Sequence, residues 1–215
     1  MATYQSVRSG DWSSSSTWSP TGVPGDGDTV IINSGHEVLF DVDQSSFPNG
    51  LASVTINGTL RFPTASGATT ALKVTGNISG SGALYVGNSL DDRIPRDSSA
   101  SIIINSASSL VTVATQRYYG WTPARHYTFL AADSQSGSNT ITLVDDLDLL
   151  AGDLIVVGSS AVVGNMTEAS RGVYSVSAYN GQSKTVSLAS ALGHARYAGD
   201  VVGVLARPIR IRRLT

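Results

Sequence analysis

The sequence predicts an all-β chain coiled into stacked turns, solenoid-like, with short irregular loops and few helices. Three observations predict it. Short apolar runs rich in β-branched residues recur along the chain, turn-forming Gly, Asn, Asp and Ser separate them, and no i, i+3, i+4, i+7 stripe is sustained.

The predicted strands, in order, are Val30–Ile32, Val38–Phe40, Val54–Ile56, Leu72–Val74, Leu84–Val86, Ile102–Ile104, Ile141–Leu143, Leu154–Val157, Val173–Val176 and Val201–Leu205. Coiling is suggested by an internal echo. Ile56-Asn57-Gly58-Thr59-Leu60 aligns with Val74-Thr75-Gly76-Asn77-Ile78, eighteen residues on, and each glycine falls where a strand must bend. Gly-Asp before an apolar run occurs at Gly27-Asp28, Gly152-Asp153 and Gly199-Asp200, a turn followed by a strand. Ser89–Ala100 is polar, holds Pro95, and is expected to leave the coil as a loop. Aromatic and basic residues crowd after Thr115, which places a loose boundary there: 1–115 as a glycine-rich β module and 116–215 as a second β lobe continuing the coil.

A 215-residue chain buries roughly 70% of its unfolded surface and needs no disulfide or metal to fold. Charged residues are 14%, net charge is −2, and Lys73 and Lys184 are the only lysines, which argues against electrostatic binding of nucleic acid or anionic membrane over the whole surface. No cysteine is present, so neither a disulfide framework nor a thiolate metal site exists. No run of eighteen apolar residues occurs, so no membrane-spanning helix is expected. The opening Met-Ala-Thr-Tyr-Gln-Ser-Val-Arg has no apolar core and does not read as a signal peptide.

The N-terminal stretch Asp11-Trp12, Thr17-Trp18, Gly22-Val23-Pro24-Gly25-Asp26-Gly27-Asp28-Thr29-Val30-Ile31-Ile32 and Gly35-His36-Glu37-Val38 resembles the start of the G-eight domain, named for its eight glycines. Trp121-Thr122, Gly152–Val157, Glu168, His194 and Gly203-Val204-Leu205-Ala206-Arg207-Pro208-Ile209 look like its continuation, with Pro208 where asparagine is common. The resemblance implies a module that usually precedes a right-handed parallel β-helix, so the expected fold is of that kind. Some relatives act on hyaluronan or other polysaccharides, but through longer chains. With no export signal, the expected setting is a virion: a non-enzymatic tail, baseplate or tail-fibre attachment component. Its expected partners are other copies of itself, other virion proteins or a cell-surface polysaccharide. The alternative is the N-terminal module of a polysaccharide-binding or polysaccharide-degrading β-helix protein.

Residue chemistry agrees with a non-catalytic reading. His36, His126 and His194 are too dispersed for a metal site, and no cofactor motif occurs. Asp91/Asp92 and Asp145/Asp146 are neighbours that a strand would point to opposite faces, so neither pair flanks one glycosidic bond. Asp26 and Asp28 suit a solvated turn better than calcium. Trp12 and Trp18 are either a sugar-stacking platform or, with more weight, the plug of the coil's open end. Contact residues are expected in the aromatic, basic segment: Arg117, Tyr118, Tyr119, Arg125, His126 and Tyr127. The C-terminal Arg210, Arg212 and Arg213 join them, because Ile209 and Ile211 alternate with arginines as a half-buried strand that something else completes.

Overall fold

In the computed structural model, residues 1–158, 172–205 and 209–213 are described. The described residues are almost wholly β and loop; their one helical turn is a 3-10 turn at Ser15–Thr17. The chain forms two compact units, Met1–Trp121 with Arg207–Thr215, and Thr122–Ala206. The second is therefore an insertion into the first.

Unit 1 holds β1 (Thr3–Ser6), β2 (Gly10–Asp11), β3 (Trp18–Ser19), β4 (Thr29–Ile32), β5 (Glu37–Leu39), β6 (Ser53–Ile56), β7 (Thr59–Arg61), β8 (Thr69–Val74), β9 (Ile78–Val86), β10 (Ser99–Ile104) and β11 (Val111–Tyr118). Unit 2 holds β12 (Tyr127–Phe129), β13 (Thr140–Thr142), β14 (Leu154–Val157), β15 (Gly172–Asn180), β16 (Thr185–Leu188) and β17 (Val201–Val204). The last strand, β18 (Ile209–Arg213), returns to unit 1. Every strand expected from sequence falls on one of these.

Unit 1 is built from parallel ladders in which the chain lays down one rung after another. Tyr4, Val30, Val54 and Ile78 stand in one column, continued by Val111. Val38, Leu60 and Leu84 form a second. Leu72, Ile102 and Ile211 form a third. Among the described residues, antiparallel pairing enters the unit only where β3 closes the outer edge of β1. Because alternate residues share a face, the in-pointing ones (Val30, Val38, Val54, Leu60, Ile78, Leu84) stack into a single core, each fully buried. The rings of Trp12, Phe40 and Phe62 lie one above the next, 4.9 and 5.0 Å between centroids. Trp18 lies edge-on to Trp12 and donates its indole N–H to the Trp12 carbonyl at 2.9 Å. At 0% and 2% exposure the two tryptophans start the core stack and offer no sugar platform.

The rung repeat differs from the sequence echo. Val54 pairs with Ile78 and Thr59 with Ala83, an offset of 24 residues where the echo gave eighteen. Gly58 lies between β6 and β7 and Gly76 between β8 and β9, so the echo equated two different turns of unit 1. The glycine that follows Gly58 in its column is Gly82, whose added Cβ would sit 1.9 Å from the Gly58 carbonyl oxygen. Only glycine allows backbones that close.

Unit 2 corrects the expectation of a continued coil. Its sheet runs β12-β17-β14-β15-β16-β13, and every described pairing in it is antiparallel. It has its own core, including Ile155, Val157, Val176, Val186 and Val202. An apolar run such as Leu154–Val157 suits a parallel or an antiparallel sheet equally. The boundary moves as well, since β11 runs through residue 115 and unit 1 extends to Trp121. The Ser89–Ala100 loop is not wholly outside the core: Ile94 is 1% exposed and bridges Gly120, and β10 starts at Ser99.

Candidate functional site

The structure distributes the expected contact residues over three places. Arg117, Tyr118 and Tyr119 end β11 of unit 1 or follow it directly. The Arg117 guanidinium stacks 5.1 Å from the Tyr85 ring centroid and donates to the Asn88 side-chain oxygen at 3.0 Å. Tyr118 donates its hydroxyl to Gln116 at 2.9 Å, and burial pushes that hydroxyl's pKa up. The Tyr119 carbonyl accepts the Ile94 N–H, so its backbone holds the loop in place. These residues are anchored within unit 1. Arg210, Arg212 and Arg213 lie on β18, paired with β10. The strand that sequence left to be completed by something else is thus covered on one side by its own chain.

Arg125, His126 and Tyr127 lie in unit 2 and line a groove of about 340 Å³ between segment 124–129 and Asp145. Arg125 reaches the Asp145 carboxylate at 3.4 Å. Thr128 accepts the Asp145 N–H at 3.0 Å and donates to the same carboxylate at 3.2 Å. His126 gives its backbone carbonyl to the Val204 N–H, tying β12 to β17.

Within β12 the usual burial order is inverted. Thr128 is 1% exposed, while Tyr127 and Phe129 on either side are 60% and 41% exposed. Register extends this to the sheet. Tyr127 opposes Gly203, Phe129 opposes Val201, Gly203 opposes Val156, and Val156 opposes Val173, so all share the outer face. Val173 and Val201 are 58% and 42% exposed there. The Tyr127 and Phe129 rings meet at right angles, 6.0 Å apart. The result is an apolar, aromatic face with an Arg–Asp pair at its rim. Phe129, Val173 and Val201 were missed in sequence. The available signal was Tyr127-Thr128-Phe129, a strand whose only polar residue is central.

The carboxylates have structural partners. Asp146 accepts the Tyr179 hydroxyl at 2.6 Å, and burial together with this carboxylate pushes that hydroxyl's pKa up to about 12. Asp145 and Asp146 therefore serve different neighbours and do not converge. Asp26 accepts the Asn49 and Gly50 N–H groups, and Asp28 those of Ala2 and Gly25. These are backbone staples. Among the described residues no group of three or more His, Asp or Glu side chains is placed to hold a metal. His36 accepts or donates a 2.8 Å hydrogen bond with Ser6.

Residues 17–122 match the G8 domain. The matched segment runs from β3 through β11 of unit 1 and ends at Thr122, the first residue of unit 2; β1, β2 and β18 lie outside it. The later resemblance, from Gly152 onward, lies outside the G8 match, as do β12 and the apolar face. No curated protein and no solved structure matches the chain.

Proposed function

We propose that the chain is a non-enzymatic docking module: a G8-containing scaffold that carries, on unit 2, a sheet face for a protein partner. The observation that carries this reading is the inverted strand β12, which buries Thr128 and turns Tyr127 and Phe129 to solvent. Contiguous apolar surface with a polar rim is what partner sites display, and Tyr and Arg dominate their energetics. A virion tail, baseplate or tail fibre is the proposed assembly, on the strength of the sequence resemblance. In that setting unit 1 would be the start of a right-handed parallel β-helix.

A second reading has its own support. The Tyr127–Phe129 pair beside Asp145 and Arg125 also suits a sugar ring, whose CH face packs on aromatics while carboxylate and guanidinium take its hydroxyls. The chain would then be a module of a polysaccharide-binding or polysaccharide-degrading protein.

A photo-crosslinking residue at Phe129, introduced in cells that produce the assembled particle, separates them. The expected result is a crosslink from particle-borne chain to another particle protein. Particles lacking the chain, or holding it without a protein crosslink, would overturn the proposal. Glycan binding by the purified chain that is lost in Tyr127→Ser would install the second reading.

A further inference from the structure

We propose that Arg196 is the centre of a small-oxyanion site inside unit 2, one that takes inorganic phosphate, sulfate or a small carboxylate. Arg196 belongs to segment 192–200, which runs antiparallel to segment 130–138. The Ser134 N–H donates to the Arg196 carbonyl at 2.8 Å, and the Arg196 N–H to the Ser134 carbonyl at 2.7 Å. Bonds between Leu192 and Ser138 and between Leu130 and Asp200 fasten the two segments on either side. Residues opposed in this way send their side chains to one face. Here it is the inner one: Ser134 and Arg196 are 8% and 2% exposed, while Gln135, Ser136, His194 and Tyr197 on the same segments are exposed.

The guanidinium beneath these exposed residues has its Nε–H and Nη2–H groups buried and, among the described residues, without an acceptor. No described carboxylate forms an ion pair with it. The acids on the two segments serve the backbone: Asp133 accepts the Ala198 N–H at 2.8 Å, and Asp200 the Tyr197 N–H at 3.0 Å. An arginine does not give up its proton inside a protein, so the charge stays. A buried charge without a counter-charge is strongly destabilising. The two idle donors select what relieves it. Nε–H and Nη2–H lie side by side on one edge of the planar guanidinium, the fork that takes two oxygens of one phosphate, sulfate or carboxylate group together. A water molecule would accept a hydrogen bond there but leave the charge unanswered. At 2% exposure the fork is closed to a macromolecular surface, whereas the exposed residues around it leave a short path for a small ion. The site is independent of the outer apolar face, which is formed by other residues.

The test is calorimetric titration of the full chain with inorganic phosphate, sulfate and acetate, sodium chloride holding the ionic strength constant. Saturable binding of one ion per chain is expected for at least one of the three. Acetate alone would assign the site to carboxylates, and phosphate or sulfate alone to tetrahedral oxyanions. The same ion should raise the thermal midpoint by several degrees, because a ligand that binds only the folded state stabilises it. Arg196→Met, similar in length and neutral, should abolish binding. Without oxyanion it should melt at or above the parent, since it deletes an unanswered buried charge. Arg196→Lys keeps the charge but not the fork and should bind at least tenfold more weakly, which decides the matter even if Arg196→Met does not fold. No saturable binding by the parent, equal binding by the variants, or binding that chloride alone reproduces would overturn the proposal. So would midpoints that phosphate or sulfate raises alike in parent and variants, the mark of a general salting effect. Tyr127→Ser should leave oxyanion binding intact, so failure of the docking reading and failure of this one are told apart.

Discussion

Thr128 holds the backbone N–H of Asp145 at 3.0 Å from inside unit 2, on the face opposite its exposed neighbours Tyr127 and Phe129. In a strand a slip of one residue exchanges the two faces. With Thr128 inside and bonded, Tyr127 and Phe129 must be outside.

Thr128→Val should therefore destabilise unit 2 by about 1–3 kcal/mol, by leaving the Asp145 N–H without its acceptor. Tyr127→Ser, at an exposed position, should change stability by less than about 1 kcal/mol. Thermal or urea unfolding of the two variants checks the contrast. Equal losses would mean that Tyr127 packs as core and the face is not a free surface.

The stack of Trp12, Phe40 and Phe62 makes a different demand. Phe40 sits between two rings, 4.9 Å from Trp12 and 5.0 Å from Phe62, and is fully buried. Phe40→Ala should cost about 3–5 kcal/mol, the usual range for a truncated core aromatic. Trp12→Ala should fall in the same range. A tryptophan-fluorescence unfolding curve for each, compared with the parent, measures it.

Gly82 is a backbone test of the rung repeat. A Cβ there would meet the Gly58 carbonyl oxygen at 1.9 Å, and that atom belongs to the chain below. Gly82→Ala should destabilise unit 1 by about 2–3 kcal/mol, as overpacking does. Gly35→Ala has nothing within 4 Å to strike, but φ is +80° there, so its cost is local backbone strain alone. Comparing the two midpoints distinguishes collision between rungs from conformational strain.

Much of unit 1 was legible because its signals are local. Val30, Val54 and Leu84 sit in alternating or β-branched runs, and their strands formed where expected. Three things were not legible. The repeat was misjudged because Gly58 and Gly76 carry similar flanks at unlike corners. The antiparallel order of unit 2 was hidden because Ile155 and Val157 look alike in either kind of sheet. The return of Ile209–Arg213 to β10 joins residues more than a hundred positions apart, and pairing at that range leaves no local pattern. At the site, Tyr127–Phe129 was not among the expected strands, and three residues alone do not tell which face is inward. That depended on Asp145, brought over by the fold.

The last prediction concerns pH and rests on Asp26. Its carboxylate accepts the Gly50 N–H at 2.6 Å and the Asn49 N–H at 3.0 Å, joining the Gly25–Asp28 turn to the loop one rung on. The Gly50 bond is the chief reason its pKa lies below the ordinary 3.8; desolvation opposes this, and Asn49 and the Lys73 charge assist. A carboxylate with a lowered folded pKa binds protons more readily unfolded, so its contribution is complete above the unfolded value and disappears as pH falls through the folded one. Stability should therefore decline as the solution is acidified from about pH 4 downward. Asp26→Asn keeps one acceptor oxygen but has no charge to titrate. It should be less stable than the parent at pH 7, and the gap between the two should narrow as pH falls toward 2. Midpoints of thermal unfolding across that range measure the gap. A gap that stays constant would show that Asp26 holds the turn by shape and hydrogen bonding alone, with no part played by its charge.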